Sequence, residues 1–300
     1  MKPEKNKLGP VRSALFVPGN RPDRVDKAVA TVADRVIIDL EDAVAVSQKV
    51  ETRELVRDKI IVHKDRRVLV RVNGLETDFI RGDLEAIVVN ELGGLVLPKT
   101  ENSLQVEEIH RLLVDLEKKQ ELAAGNTAVI LLVESALGVQ NIFQITSAAG
   151  ELNREFLIAL GAADYALDMG IEITKDGGEL IYPRSRIAIA CRAAGIAPPL
   201  DTPFMIDLKD IEALKDDAAR AKQLGFQGKL CIHPNQIEPV HVVFTPTAEE
   251  ISFARRVVDT FEAEEAGGAA AIQVEGKFVD YPVVERSRRI LQLAALIHGK

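Results

Sequence analysis

The sequence predicts a (β/α)8 barrel, of the TIM-barrel α/β class, followed by a small C-terminal extension of helix and hairpin. Short β-branched runs alternate with helix-period segments almost from end to end, the pattern of βα units around a parallel sheet. Eight such runs fall within about 220 residues, each followed by a helical pattern, which is the arithmetic of a closed eightfold barrel. A doubly wound open sheet would carry a phosphate loop after an early strand, and neither G-x-G-x-x-G nor G-x-x-x-x-G-K-[ST] occurs.

The expected strands are residues 14–17, 36–40, 68–72, 94–97, 129–133, 156–160, 197–200 and 229–232. Amphipathic segments fit between them. In residues 103–119, Leu104, Val106, Ile109, Leu112, Leu113 and Leu116 recur at helical spacing, and residues 210–224 behave alike. The tail differs: residues 247–266 read as one long helix, Gly267 and Gly268 break it, residues 270–281 alternate as a hairpin around Glu275-Gly276, and residues 282–298 resume a helix. The expected division is a barrel over residues 1–245 and an extension over residues 246–300.

Composition removes several function classes. A chain of 300 residues with 47% apolar content can bury a deep core. A net charge of −8 disfavours nucleic acid or an anionic membrane as partner, since both require a basic surface. The longest apolar runs, such as residues 128–133, are far short of the roughly 20 residues that span a bilayer. No signal-peptide core follows the polar start MKPEKNKLGP, and Cys191 and Cys231 stand in apolar contexts without a C-x-x-C pair, so the expected setting is the reducing cytoplasm.

Active sites of such barrels lie at the C-terminal ends of the strands, so the residue after each apolar run is informative. Strand one ends in Pro18-Gly19-Asn20-Arg21, strand two in Asp39-Leu-Glu41-Asp42, strand three in Arg71-Val-Asn73 and strand four in Pro98-Lys99. Strand five ends in Glu134-Ser135, strand six in Gly161-Ala162-Ala163-Asp164, strand seven near Asp201-Thr202 and strand eight in His233-Pro-Asn-Gln236. Ser135 and Asp201 read best as helix caps or solvated loop residues. Glu134 does not, because it follows Ile130-Leu-Leu-Val133, where an unpaired carboxylate is costly.

Glu134 and Asp164 are hard oxygen ligands that would hold Mg²⁺ (or Mn²⁺) while leaving positions open for a chelating oxo acid. Zinc is disfavoured, since no H-x-x-x-H or paired cysteine occurs. Arg71 offers the planar fork that grips a carboxylate; alternatively it neutralises the acids of strand two. Lys99, Gly161 and Ala162 complete the candidate substrate-contacting set. The first βα loop and helix carry Arg21, Arg24 and Lys27, local positive charge in an acidic chain, and His233 and Gln236 stand beside them across the closed barrel; His233 is also a candidate general base or a turn-packing residue.

The succession "SALFVPGNRPDRVDKA", "VIIDLEDAV", "VLVRVNG", "VLPKTE", "LLVESALGV", "GAADYALDMG", "GKLCIHPNQI" and "EGKFVDYPVVERS" resembles the citrate lyase β chain and its acyl-CoA lyase relatives in the HpcH/HpaI aldolase superfamily. The resemblance runs in order from about Ser13 to Ile290. It implies a (β/α)8 barrel and a Mg²⁺-dependent carbon–carbon lyase acting on a malyl-, citramalyl- or citryl-CoA thioester, whose CoA tail would meet Arg21, Arg24, Lys27, His233 and Gln236. By its motifs, Glu134 and Asp164 match metal ligands, Arg71 a substrate-carboxylate arginine, and Glu41 and Asp42 acids that hold metal-bound waters. Asp280 matches an acid supplied from the tail of a neighbouring subunit, which implies a homotrimer or hexamer whose extensions pack on adjacent protomers. Two rivals are an aldolase acting on free 2-oxo acids and a lyase subunit active only beside an acyl-carrier chain.

Overall fold

The computed structural model of the chain describes residues 8–265, 267 and 270–298; Ala266 and Gly268, part of the expected helix end and break, lie outside the described residues. The described residues form two compact units, with the division between Val242 and Val243.

In the first unit eight parallel strands close into a barrel in sequence order. They are β1 (Ser13–Pro18), β2 (Arg35–Asp39), β3 (Val68–Arg71), β4 (Gly94–Leu97), β5 (Ala128–Val133), β6 (Phe156–Leu160), β7 (Leu200–Asp201) and β8 (Gly228–Cys231). The ring closes where Ala14 of β1 pairs with Leu230 of β8. The helices along this unit are α1 (Pro22–Val29), α2 (Lys49–His63), α3 (Ile80–Ile87), α4 (Ser103–Lys119), α5 (Ala136–Gln140), α6 (Ile142–Glu151), α7 (Ala162–Met169), α8 (Ile181–Ala193), α9 (Ile211–Gln223) and α10 (Ile237–Phe244), the last crossing the division. Helix starts follow local chemistry: Asn102 caps α4 in a reciprocal capping box with Gln105, and Asp210 caps α9 through Ala213 N.

Strand seven departs from expectation. Residues 197–199 do not join the ladder, because Pro198 and Pro199 have no N–H to donate. The strand shortens to Leu200–Asp201, one step further along.

The two-residue period of the strands builds both the core and the site. Ala14, Ile37, Leu69, Val96, Ala128, Ile130, Leu132, Leu157, Ala159, Leu200 and Leu230 fill the interior as one buried cluster, with Phe16 packed on it. Continuing each strand by two residues in the same phase brings Asp39, Arg71, Glu134, Gly161, Thr202 and Ile232 to the mouth. One-residue neighbours face the other way. Asp201 and Lys229 are therefore turned toward the helices, where Lys229 pairs with Asp201 and, at 2.5 Å, with Asp217 of α9. Arg184 of α8 bonds Asp201 through Nε and Nη2, both at 2.9 Å, and Asp217 at 2.8 Å. Asp201 is thus neither a cap nor a solvated loop residue. Burial alone would raise the Asp217 carboxyl, but Lys229 and Arg184 outweigh it and hold the carboxyl below its ordinary value.

The second unit holds α11 (Ala248–Glu265), an antiparallel hairpin of β9 (Ala271–Val274) and β10 (Lys277–Asp280), and α12 (Tyr281–His298). Glu275 and Gly276, both at positive φ (49° and 77°), make the two-residue turn that this hairpin twist demands. Val257, Phe261, Val274, Val279 and Val284 form its core.

The buried two-plus-two ionic cluster yields a stability test. Lys229→Met leaves the buried Asp201 and Asp217 with Arg184 and the longer, partly exposed contact of Arg220, 3.6 Å from Asp217, and should cost about 3–5 kcal/mol in urea unfolding, because the buried negative charge is then undercompensated. Arg288→Ala, which breaks the exposed pair with Glu262, should cost less than about 1 kcal/mol in the same measurement.

Candidate active site

The mouth of the barrel encloses a cavity of about 480 Å³. Its wall includes Phe16, Asp39, Asp42, Arg71, Glu134, Gly161, Ala162, Asp164, Thr202 and Met205. Glu134 and Asp164 therefore share one chamber, and their mutual repulsion is one reason the Glu134 carboxyl is raised.

The acids of strand two are held apart by cations. Arg71 donates from Nε to Asp39 Oδ1 at 2.8 Å and from Nη2 to Asp39 Oδ2 at 2.6 Å, a bidentate clamp between adjacent strand ends. Asp39 also accepts from Glu41 N at 2.9 Å and Ala43 N at 3.1 Å, so it shapes the loop that follows it. The remaining Arg71 nitrogen, Nη1, lies 3.1 Å from Glu41 and 3.5 Å from the exposed Asp42. Lys99 Nζ reaches the other oxygen of Glu41 at 3.1 Å. Burial opposes the charge on Arg71, yet its bonds to Asp39 outweigh that and raise its pKa above the ordinary value. Glu41 is raised by burial, with Asp42 adding to the effect against the pull of Arg71. Beneath this loop, Lys49 of α2 donates to Leu40 O at 3.0 Å, Glu41 O at 2.7 Å and Asn73 Oδ1 at 2.6 Å.

Glu134 is 4% exposed and forms no salt bridge among the described residues. Its Oε1 accepts from Lys99 N at 2.7 Å. That bond is made by a residue held at φ 52°, a left-handed conformation costing a non-glycine residue roughly 1–2 kcal/mol. A Cβ at Gly161 would stand 2.6 Å from Glu134 Oε2, so glycine is required there to leave the carboxylate its space. Burial is the main cause that pushes the Glu134 carboxyl up to about 8, against the bond from Lys99 N. Asp164 stands in the first turn of α7, which begins at the cavity wall, and Thr202 Oγ1 accepts from Ala162 N at 3.0 Å to fix that helix start. Glu134 and Asp164 are the pair suited to a hard divalent cation. No group of three or more His, Cys, Asp and Glu capable of holding a metal exists among the described residues, so most coordination positions would fall to water and substrate.

The remaining candidates divide. Arg21, exposed at the N-cap of α1, stands at the mouth end of β1. Lys27 lies in the last turn of the same helix, about 9 Å further along its axis. His233 is exposed and caps the short 3-10 turn Pro234–Gln236, its Nδ1 2.7 Å from Asn235 Oδ1. Gln236 is buried with both ends of its amide in use, donating to Phe204 O at 2.7 Å and accepting from Ile232 N at 2.9 Å. It ties two loops together and presents nothing to a ligand. Ser135 Oγ accepts from Gly138 N as the cap of α5. Asp280 belongs to the second unit, where its Oδ1 accepts from Val283 N at 3.4 Å. Sequence reasoning missed Phe16 and Lys49, and named Thr202 at the end of strand seven without giving it a role. The strand phase signals Phe16 and Thr202, whereas nothing in the sequence around Lys49 distinguishes it from a surface lysine.

The raised Glu134 carboxyl has a measurable consequence. Between about pH 4.5 and 8 the unfolded chain has released a proton that the folded, metal-free protein still holds, so stability falls as pH rises through that window. The loss should approach about 1.4 kcal/mol per pH unit in denaturant titrations with chelator present. Glu134→Gln should flatten the profile.

Comparison with known proteins agrees with this architecture. Residues 12–234 match the family model HpcH/HpaI aldolase/citrate lyase. Citrate lyase subunit beta of Leuconostoc mesenteroides subsp. cremoris is 39% identical over 96% of the chain and 94% of its own length. An L-malyl-CoA/beta-methylmalyl-CoA lyase of Cereibacter sphaeroides is 32% identical, covering 96% of each. The crystal structure of protein CitE from Mycobacterium tuberculosis in complex with magnesium, acetoacetate and coenzyme A superposes with a TM-score of 0.76 at 32% identity, over 96% of this chain and 99% of that one. The chain belongs to the HpcH/HpaI aldolase/citrate lyase family, as a carbon–carbon lyase of the citrate lyase β-like kind.

Proposed function

We propose that the chain is a Mg²⁺-dependent lyase that cleaves, or in reverse condenses, a 3-hydroxyacyl-CoA thioester such as citramalyl-, malyl- or citryl-CoA, giving a 2-oxo acid and an acyl-CoA. The observation that carries this reading is the meeting of Glu134 and Asp164 in one cavity beside the Arg71 guanidinium. The fit to a cation rests on the chain itself: Gly161 leaves room at Glu134 Oε2, and the raised carboxyl is one that a divalent ion would stabilise in its charged form. A Mg²⁺ ion held by Glu134 and Asp164 supplies Lewis-acid polarisation of the oxo-acid carbonyl. The CitE neighbour, crystallised with magnesium, acetoacetate and coenzyme A, supports the same ligand set.

The residues then divide the work. The start of α7 directs its N–H groups and dipole at the substrate carboxylate. Arg71 shares Nη1 with that carboxylate while Asp39 keeps the other nitrogens engaged. Glu41 and Asp42 hold water and the hydroxyl end of the substrate, with Lys99 balancing Glu41. In cleavage the hydroxyl passes its proton to the water held by Glu41 and Asp42, and the bond to the thioester α-carbon breaks. The electron pair passes to the thioester enolate, which takes a proton at carbon, and Asp280 of a neighbouring protomer is the donor in this reading. A homotrimer or hexamer would provide that arrangement, with the second unit as the shared piece. In this reading Arg21, at the N-cap of α1, would meet a CoA phosphate at the mouth.

A second reading has one observation in its favour: the 39% identity to a citrate lyase β subunit, a protein named as part of a complex. In that case the thioester would be borne by an acyl-carrier chain. Assay of the isolated protein with malyl-CoA and citramalyl-CoA plus Mg²⁺, read as keto-acid release, separates the two. Turnover alone supports the stand-alone lyase, turnover only with a carrier thioester supports the subunit, and turnover of free acids alone overturns both. Asp280→Asn should lower turnover at least about 100-fold, the low end for loss of a general acid, without changing Mg²⁺ affinity.

A further inference from the structure

A second, smaller cavity of about 140 Å³ adjoins the reaction chamber. Thr202, Pro203 and Met205 line both. Ile173, Leu180 and Ile206 line only the smaller one. We infer that this cavity receives the alkyl substituent of the 2-oxo acid, with Met205 as the gate between the two chambers, so that Met205 and the wall behind it set the chain length the enzyme accepts. The inference rests on the lyase reading above.

Four observations carry it. First, the shared wall lies at the oxo-acid end of the chamber, because Thr202 Oγ1 holds Ala162 N at the start of the helix that bears Asp164. A 2-oxo acid bound at Asp164 thus lies against the wall that Thr202 and Met205 share between the two cavities. Second, the lining is suited to an alkyl group: Leu180 is 2% exposed, and Asp217, which borders the cavity, spends its charge on Lys229, Arg184 and Arg220. Third, the volume is close to that of the apolar cavity of about 150 Å³ that admits benzene, enough for a short alkyl chain. Fourth, the residue on the partition is methionine, whose unbranched side chain swings aside more readily than a β-branched one.

The test is calorimetric binding of pyruvate, 2-oxobutyrate, 2-oxopentanoate and 2-oxohexanoate to the full chain with Mg²⁺. In the wild type each added methylene should tighten binding roughly fourfold until the cavity is full. Ile206→Trp fills the smaller cavity from a partly exposed position outside the reaction chamber; it should abolish the gain with chain length and leave pyruvate affinity unchanged. Met205→Phe should abolish the gain by closing the gate, which keeps the inference testable if one variant folds poorly. A flat wild-type series, or a gain that survives both substitutions, overturns the subsite while pyruvate binding leaves the lyase reading standing. A protein that binds no 2-oxo acid with Mg²⁺ overturns both.

Discussion

A carboxylate at the end of an apolar strand, with no cationic side chain paired to it among the described residues, is the constraint around which this barrel mouth is arranged. Glu134 extends the inward phase of Ile130 and Leu132, so the geometry that fills the core also delivers a buried acid to the cavity. Among the described residues its one direct hydrogen bond comes from a strained backbone at Lys99, and its room comes from the missing side chain of Gly161. Burial raises its carboxyl against that bond and favours any ligand that restores the charge. In the reading proposed here that ligand is a divalent ion shared with Asp164.

The neighbouring acids are handled by a different device. Asp39 is committed to Arg71 and to the amides of its own loop, so its role is geometric. Lys49 grips the carbonyls of Leu40 and Glu41 from below, fixing the loop without touching a carboxylate. Thr202 does the corresponding task for the start of α7. Rigid strands and buried polar ties thus position side chains that would otherwise repel one another, and a site built this way needs little reorganisation when charge develops during reaction.

Most of the barrel was legible in the sequence because its signal is periodic. Runs such as residues 36–40 and 129–133 read directly as strands, and the residues closing them supplied Glu134, Asp164, Arg71, Glu41 and Asp42 as candidates. Strand seven was misplaced because apolar content at residues 197–199 suggested a strand that two prolines forbid. Asp201 was misread because its neighbours give no sign of which way a two-residue strand faces; its partners Arg184 and Lys229 are 17 and 28 residues away. Gln236 looked available for a ligand, yet its amide is consumed by backbone groups that only the folded loops bring together. The second cavity, built from segments flanking three elements, has no linear signature at all.

The central claim is that one divalent cation is held by Glu134 and Asp164. Titration of the metal-stripped chain with Mn²⁺, followed by electron paramagnetic resonance, tests it most directly. The account predicts one site per chain, displaced by Mg²⁺ and weakened at least about tenfold by either Glu134→Gln or Asp164→Asn. Binding of unchanged stoichiometry and affinity in both variants would contradict it.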